Sequence, residues 1–199
     1  MKIKLFSGLT ITLGLLAFVF CVENYKRGPL KLHSPEASPF ERAEEGITVS
    51  YKTYTSKESR AYLNRDLVSR GYQPIQVTIQ NNTSHVYSLS PRDVSLPLAK
   101  PATVAMSITK EAIPRAIVYK VAGFFFWPLM IPGTIDSIQT FRTHLNLEHD
   151  FAAKSIKREN VPPYATIHRI LFVPKKGYQE DFSLVLRNTT NNAPIRFNS

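Results

Sequence analysis

Residues 72–89 read YQPIQVTIQNNTSHVYSL, and the spacing within them sets the fold class. Ile75, Val77 and Ile79 alternate with Gln76, Thr78 and Gln80. Successive side chains of a strand point to opposite faces, so a period of two predicts a strand with one face buried. Asn81, Asn82, Thr83 and Ser84 supply turn chemistry ahead of Val86 to Leu89, and the run from Tyr72 to Leu89 therefore reads as a β-hairpin. Pro91, Arg92 and Asp93 end it with a further turn.

The same signal recurs on both sides. Upstream, Ile47, Val49 and Tyr51 alternate with Thr48, Ser50 and Lys52; downstream, Ile167 to Val173 is nearly continuous in apolar residues. Phe182, Leu184 and Leu186 then alternate with Ser183, Val185 and Arg187, Ile195 and Phe197 close the chain, and Lys175, Lys176 and Gly177 read as a loop. Strands early and late predict a mainly β domain over residues 46–199, an immunoglobulin-like β-sandwich of two packed sheets without the antibody disulfide. Ser59 to Arg70, ahead of Gly71, suits a short helix with glycine as its stop, although Leu63, Leu67 and Val68 suit an irregular edge as well.

An insert over about residues 103–160 interrupts the strands. Val121 to Ile135 reads VAGFFFWPLMIPGTI, without a charge, between Arg115 and Lys120 on one side and Asp136 and Arg142 on the other. A straight helix of that length reaches only about 22 Å, and Pro128 and Pro132 would break it. The expectation is an apolar helical hairpin joined around Trp127 and Pro128, with Phe124, Phe125, Phe126, Trp127, Leu129 and Met130 at its tip. A second helix is expected from Asn146 through Leu147, Phe151 and Ile156, ending before Pro162 and Pro163. The hairpin either folds back to complete the sandwich core or meets a membrane or a protein partner, since Trp and Phe favour interfaces.

Lys2 and Lys4 precede the apolar run Leu5 to Val22, and polar residues follow from Glu23 to Arg27. This is the order of an export signal, which makes residues 1–22 a signal peptide or membrane anchor. Ordinary cleavage would need small residues where Phe18, Val19 and Phe20 stand. Lipidation would fall on Cys21, the single cysteine, in the position of a bacterial lipoprotein cysteine. Retention is the third fate, since the run as a helix spans about 27 Å. All three place the folded part outside the cytoplasm and beside a membrane. Residues 23–45, with Pro29, Pro35, Pro39 and several glutamates, read as a flexible tether.

The composition of the 199 residues, 43% hydrophobic with 14 Pro, 8 Gly and 1 Cys, excludes a disordered chain, a collagen and a disulfide scaffold. A polytopic transporter is excluded as well, because only the N-terminal run approaches spanning length. The formal charge of +10 is spread without a dense arm. It suits anionic lipid headgroups or a soluble basic surface, and nucleic acid is not expected as a partner of an exported chain.

Catalytic patterns are missing. There is no glycine-rich phosphate loop and no nucleophile elbow. His144 and His149 are five apart, off a common helical face, so no metal site is expected there. His168 falls in a strand and reads as a packed or edge histidine. The sequons at Asn82 and Asn188 follow strands and read as turns. No enzyme activity and no cofactor are expected.

The run Gly71 to Asn82, the segment Phe124 to Pro132 with Asp136 after it, and Phe172-Val173-Pro174 resemble a pattern in poorly characterised envelope lipoproteins and membrane-anchored proteins of Gram-negative bacteria. The similarity covers most of residues 60–190. The resemblance implies a bacterial envelope location, on the periplasmic side of a membrane, and no assigned enzymatic activity. Two functions fit: a tethered protein presenting its hairpin to a membrane or envelope partner, as in envelope assembly or a secretion apparatus, or a lipid or lipoprotein carrier with the hairpin as lid over a pocket between the sheets.

Overall fold

A strand completes its backbone hydrogen bonds through its neighbours, and the run around Val77 finds one on each side in other parts of the chain. The computed structural model describes residues 27–31, 40–109 and 130–199. Its strands are β1 (Phe40–Glu44), β2 (Ile47–Thr53), β3 (Tyr72–Asn81), β4 (Tyr87–Leu89), β5 (Glu159–Val161), β6 (Thr166–Pro174), β7 (Ser183–Asn188) and β8 (Pro194–Asn198). Its helices are α1 (Ser56–Leu63), α2 (Pro101–Thr109) and α3 (Met130–Lys154). The chain divides into two compact units, Met1–Arg27 with Thr109–Leu147, and Gly28–Ile108 with Glu148–Ser199.

The second unit is mainly β. One antiparallel sheet runs β1-β2-β3-β6 and the other β5-β4-β7-β8. Ile47, Val49, Ile75, Val77, Ile79, Leu171 and Val173 of the first sheet share one core with Leu89, Val161, Leu184, Leu186, Ile195 and Phe197 of the second. That shared core is the arrangement of a β-sandwich.

Tyr72 to Leu89 is not the hairpin its spacing suggests. β3 pairs with β2 and β6, whereas β4 pairs with β5 and β7, so the chain changes sheets between Asn81 and Tyr87. The side chain of Asn81, wholly buried, holds that crossing. Its Nδ2 donates to the carbonyls of His85 and Pro162, both at 2.8 Å, and its Oδ1 accepts from the Thr83 amide at 3.0 Å. The turn chemistry was real, but it serves a side-chain hub rather than a two-residue hairpin.

The true hairpin lies earlier, where a tether was expected up to residue 45. β1 pairs with β2 in the register Glu44↔Ile47, closed by Glu45 (φ 49) and Gly46 (φ 80). Two positive φ values make the type of turn whose twist matches the flanking strands, and Gly is the residue that adopts it without strain. A Cβ at Gly46 would also stand 2.8 Å from Thr83 Cγ2.

The apolar run before Val173 is continuous because β6 is covered on both faces. Leu171 and Val173 face the shared core, while Ile170 and Phe172 point to the other side and are equally buried. Phe151 of α3 lies against Phe172 with ring centroids 5.2 Å apart. The Ile156 amide donates to the Ile170 carbonyl at 3.1 Å.

Helix α1 starts at Ser56 rather than Ser59. Thr55 and Glu58 form a reciprocal capping box, and Asn64 in the left-handed conformation (φ 55) ends it, not Gly71. Gly71 (φ 85) instead bends the chain into β3. The helix expected from Asn146 is the last part of α3, which begins at Met130 and keeps Pro132 in its first turn, where a missing N–H costs nothing. β5 belongs to the second sheet, so Glu159 and Asn160 are strand residues and not the end of the insert expected over about residues 103–160. Among the described residues no helix is long and apolar enough to cross a membrane. Residues 1–22 with Cys21, and Phe124, Phe125, Phe126, Trp127 and Leu129, lie outside the described residues.

Candidate functional site

Two clusters of titratable side chains in the sheet unit surround α1. Lys52 pairs with Glu58 at 2.7 Å, and Thr55 donates to the same carboxylate. Burial would raise the Glu58 carboxyl, but these donors outweigh it and hold the group at about 2. Asp66 likewise receives Ser56, the Ser69 amide and Arg60, which offset its burial and hold it at about 2. These bonds close the loop after α1. On the outer face of the first sheet, buried Tyr54 donates to buried Gln76, and desolvation pushes the phenol well above its ordinary range.

Among the described residues His168 is the one histidine of a strand, and it faces Thr78 with Nδ1 2.9 Å from Oγ1. Burial, and then the neighbouring Arg169 charge, push it below its usual value. No carboxylate hydrogen-bonds it among the described residues, so the geometry is that of a packed strand histidine. Asp150 and Lys154, both 6% exposed, form an ion pair at 2.6 Å on the last turn of α3. Among the described residues no three His, Cys, Asp or Glu side chains are grouped as metal ligands. His144 and His149 lie on α3; the Asn82 sequon follows β3, and the Asn188 sequon begins at the last residue of β7 and runs into a turn, with Asn188 Oδ1 accepting the Thr190 amide at 2.9 Å.

Between the sheets, Val49, Tyr51, Val77, Phe182, Leu184 and Phe197 line a cavity of about 10 Å³. That is room for about one water. It does not hold an acyl chain, so nothing about this cavity favours a lipid carrier.

The first unit offers a different kind of site. Arg27 follows the N-terminal apolar run closely, and its Nε and Nη2 both donate to Asn146 Oδ1 on α3, at 3.1 and 2.8 Å. Thr109, the last residue of α2, places Oγ1 3.3 Å from His144 Nδ1, two positions before Asn146 on α3. The segment after the N-terminal apolar run, the entry to the insert and its exit are thus fastened over one short length of α3. Residues four apart on a helix share a face, so Arg142 accompanies Asn146, and both Arg27 and Arg142 are exposed. The arrangement carries positive charge and hydrogen-bond donors.

Sequence reading grouped Arg27 with the flank of an export signal and took Asn146 only as the start of a helix, with no link between the two. The sequence signal there is weak: Arg27 and Arg142 lie among the charged residues that flank the two uncharged runs, with Glu23 and Lys26 before the one and Asp136 before the other.

No family model matches this chain, and no curated protein or solved structure is detectably similar to it. Function is therefore argued from the geometry alone.

Proposed function

We propose that the chain is a non-enzymatic, membrane-tethered protein of the bacterial cell envelope, whose β-domain stands on the periplasmic side while the insert around Phe124 to Met130 enters the membrane. The single observation that carries this reading is the fork from Arg27 to Asn146. It joins a residue that follows the N-terminal apolar run in sequence to a helix that follows the apolar insert in sequence. A run of aromatic residues beside an anchor favours the interfacial region of a bilayer. Exposed arginine at that junction suits the headgroup level.

The immunoglobulin-like reading is supported by strand order. β2-β3-β6 corresponds to strands A-B-E, and β5-β4-β7-β8 to C′-C-F-G, which places the helical insert between C and C′.

The chain has one tryptophan, Trp127, and it lies in the insert. The full chain reconstituted into phosphatidylcholine vesicles carrying a brominated acyl chain should show quenched tryptophan emission. Phe125→Ser and Trp127→Ser should lower membrane association while the thermal unfolding of the β-domain stays unchanged. Unquenched emission would overturn membrane entry. A variant that unfolds would mean the insert completes a core. Intact mass beside Cys21→Ala separates an acylated Cys21 from a retained N-terminal helix.

A further inference from the structure

The Arg27–Asn146 fork leaves a set of donors on one face of α3. Arg27 takes Oδ1 of Asn146 with both Nε and Nη2, and an amide whose oxygen is occupied offers its NH₂ as a pure donor. Arg142, one turn earlier on the same face, is exposed, and among the described residues neither guanidinium pairs with a carboxylate. Among the described side chains, the acidic residues of this part of the helix do not answer these charges. Glu148 projects from roughly the opposite side of the helix from Asn146, as residues two apart do. Asp150 is held by Lys154 at 2.6 Å.

Two guanidinium groups and an amide donor on one face are complementary to a phosphate, whose oxygens accept paired N–H bonds from a planar guanidinium. We infer that Arg27, Arg142 and Asn146 form a binding site for the phosphate of an anionic phospholipid. The site rests on the membrane-tethered reading, because the place of Arg27 just after the apolar run is what favours a lipid phosphate over a free one. Arg27 positions the amide as well as binding.

The test uses the full chain in nanodiscs of phosphatidylcholine alone or mixed with phosphatidylglycerol, with lipid retained after detergent extraction read by native mass spectrometry. The wild type should retain phosphatidylglycerol in preference to phosphatidylcholine. Arg142→Gln should weaken that retention about fivefold, the loss expected for one cationic side chain at a headgroup. Arg142→Lys should restore part of it, since the charge returns without the paired donors. Equal retention by wild type and Arg142→Gln overturns the site, as does binding of inorganic phosphate by the detergent-solubilised chain with no lipid preference. Trp127 quenching on the same nanodiscs keeps the two proposals apart: quenched emission with no phosphatidylglycerol preference removes this site alone, and unquenched emission removes the membrane reading beneath it.

Discussion

Arg169 on β6 and Glu159 on β5 meet as a paired fork that ties the edge of one sheet to the edge of the other. Nε of the arginine lies 2.5 Å from Oε1 of the carboxylate, and Nη2 bonds Oε2. By register Arg169 stands opposite Val77, on the face directed toward the shared core, and its side chain is 22% exposed. The fork closes the side of the sandwich where apolar packing runs out.

Removing one partner leaves the other half-buried and uncompensated, which is costlier than removing both. Arg169→Met should therefore lower stability by about 2 kcal/mol, and Arg169→Met with Glu159→Gln by less than the sum of the singles. Urea unfolding of the four proteins gives the coupling. Strictly additive effects would show that the fork contributes no pairwise stability.

Asn81→Ala would strand the carbonyls of His85 and Pro162 and the Thr83 amide at once. Each buried group left without a partner costs about 1–3 kcal/mol, so the variant should lose about 3 kcal/mol in all. Asn81→Asp keeps the acceptor but loses the donor and should be destabilised too. Thermal unfolding of both variants checks this, and a near-neutral Asn81→Ala would refute the role of Asn81 as the hub of the sheet crossing.

Acid should destabilise the β-domain in two stages. His168 is held below its ordinary value, so the unfolded chain binds a proton that the folded chain refuses, and stability falls as pH drops through about 6.5. Glu58 and Asp66 are held at about 2, below their ordinary values of 4.5 and 3.8. Their contribution is whole above those ordinary values and is lost as pH falls toward 2. Denaturant midpoints between pH 7 and 2 should follow this course, and Asp66→Asn should flatten the lower stage. A variant with the wild-type slope below pH 4 would contradict it.

Phe151→Ala should open a cavity against Phe172 and cost about 4 kcal/mol, whereas Phe151→Leu should cost about 1. Equilibrium unfolding of the full chain reads both. Equal small losses would mean that the end of α3 repacks without that ring.

Sequence pattern made the β class legible, because alternation such as Ile75-Val77-Ile79 is a local consequence of strand geometry and one buried face. It also marked β2, β7 and β8 and the apolar insert, where spacing and prolines act on near neighbours. It did not reveal β1, whose five residues FERAE owe their strand state to pairing with β2 through the Glu45–Gly46 turn. Nor did it show that the chain leaves the sheet after Asn81, since the same Asn and Thr residues suit a tight hairpin and a side-chain hub equally well.

By itself, then, the sequence determined which segments can be strands, where glycine and asparagine must turn the chain, and which runs carry no charge. Tertiary structure alone decided which strands are neighbours, that β6 is buried on both faces, and that Arg27 reaches Asn146 across 119 positions. The physical reason is distance along the chain. Periodicity and capping are settled by residues within a turn or two of one another, whereas sheet order and the Arg27 fork depend on contacts whose free energy appears only once the remote segments have been brought together.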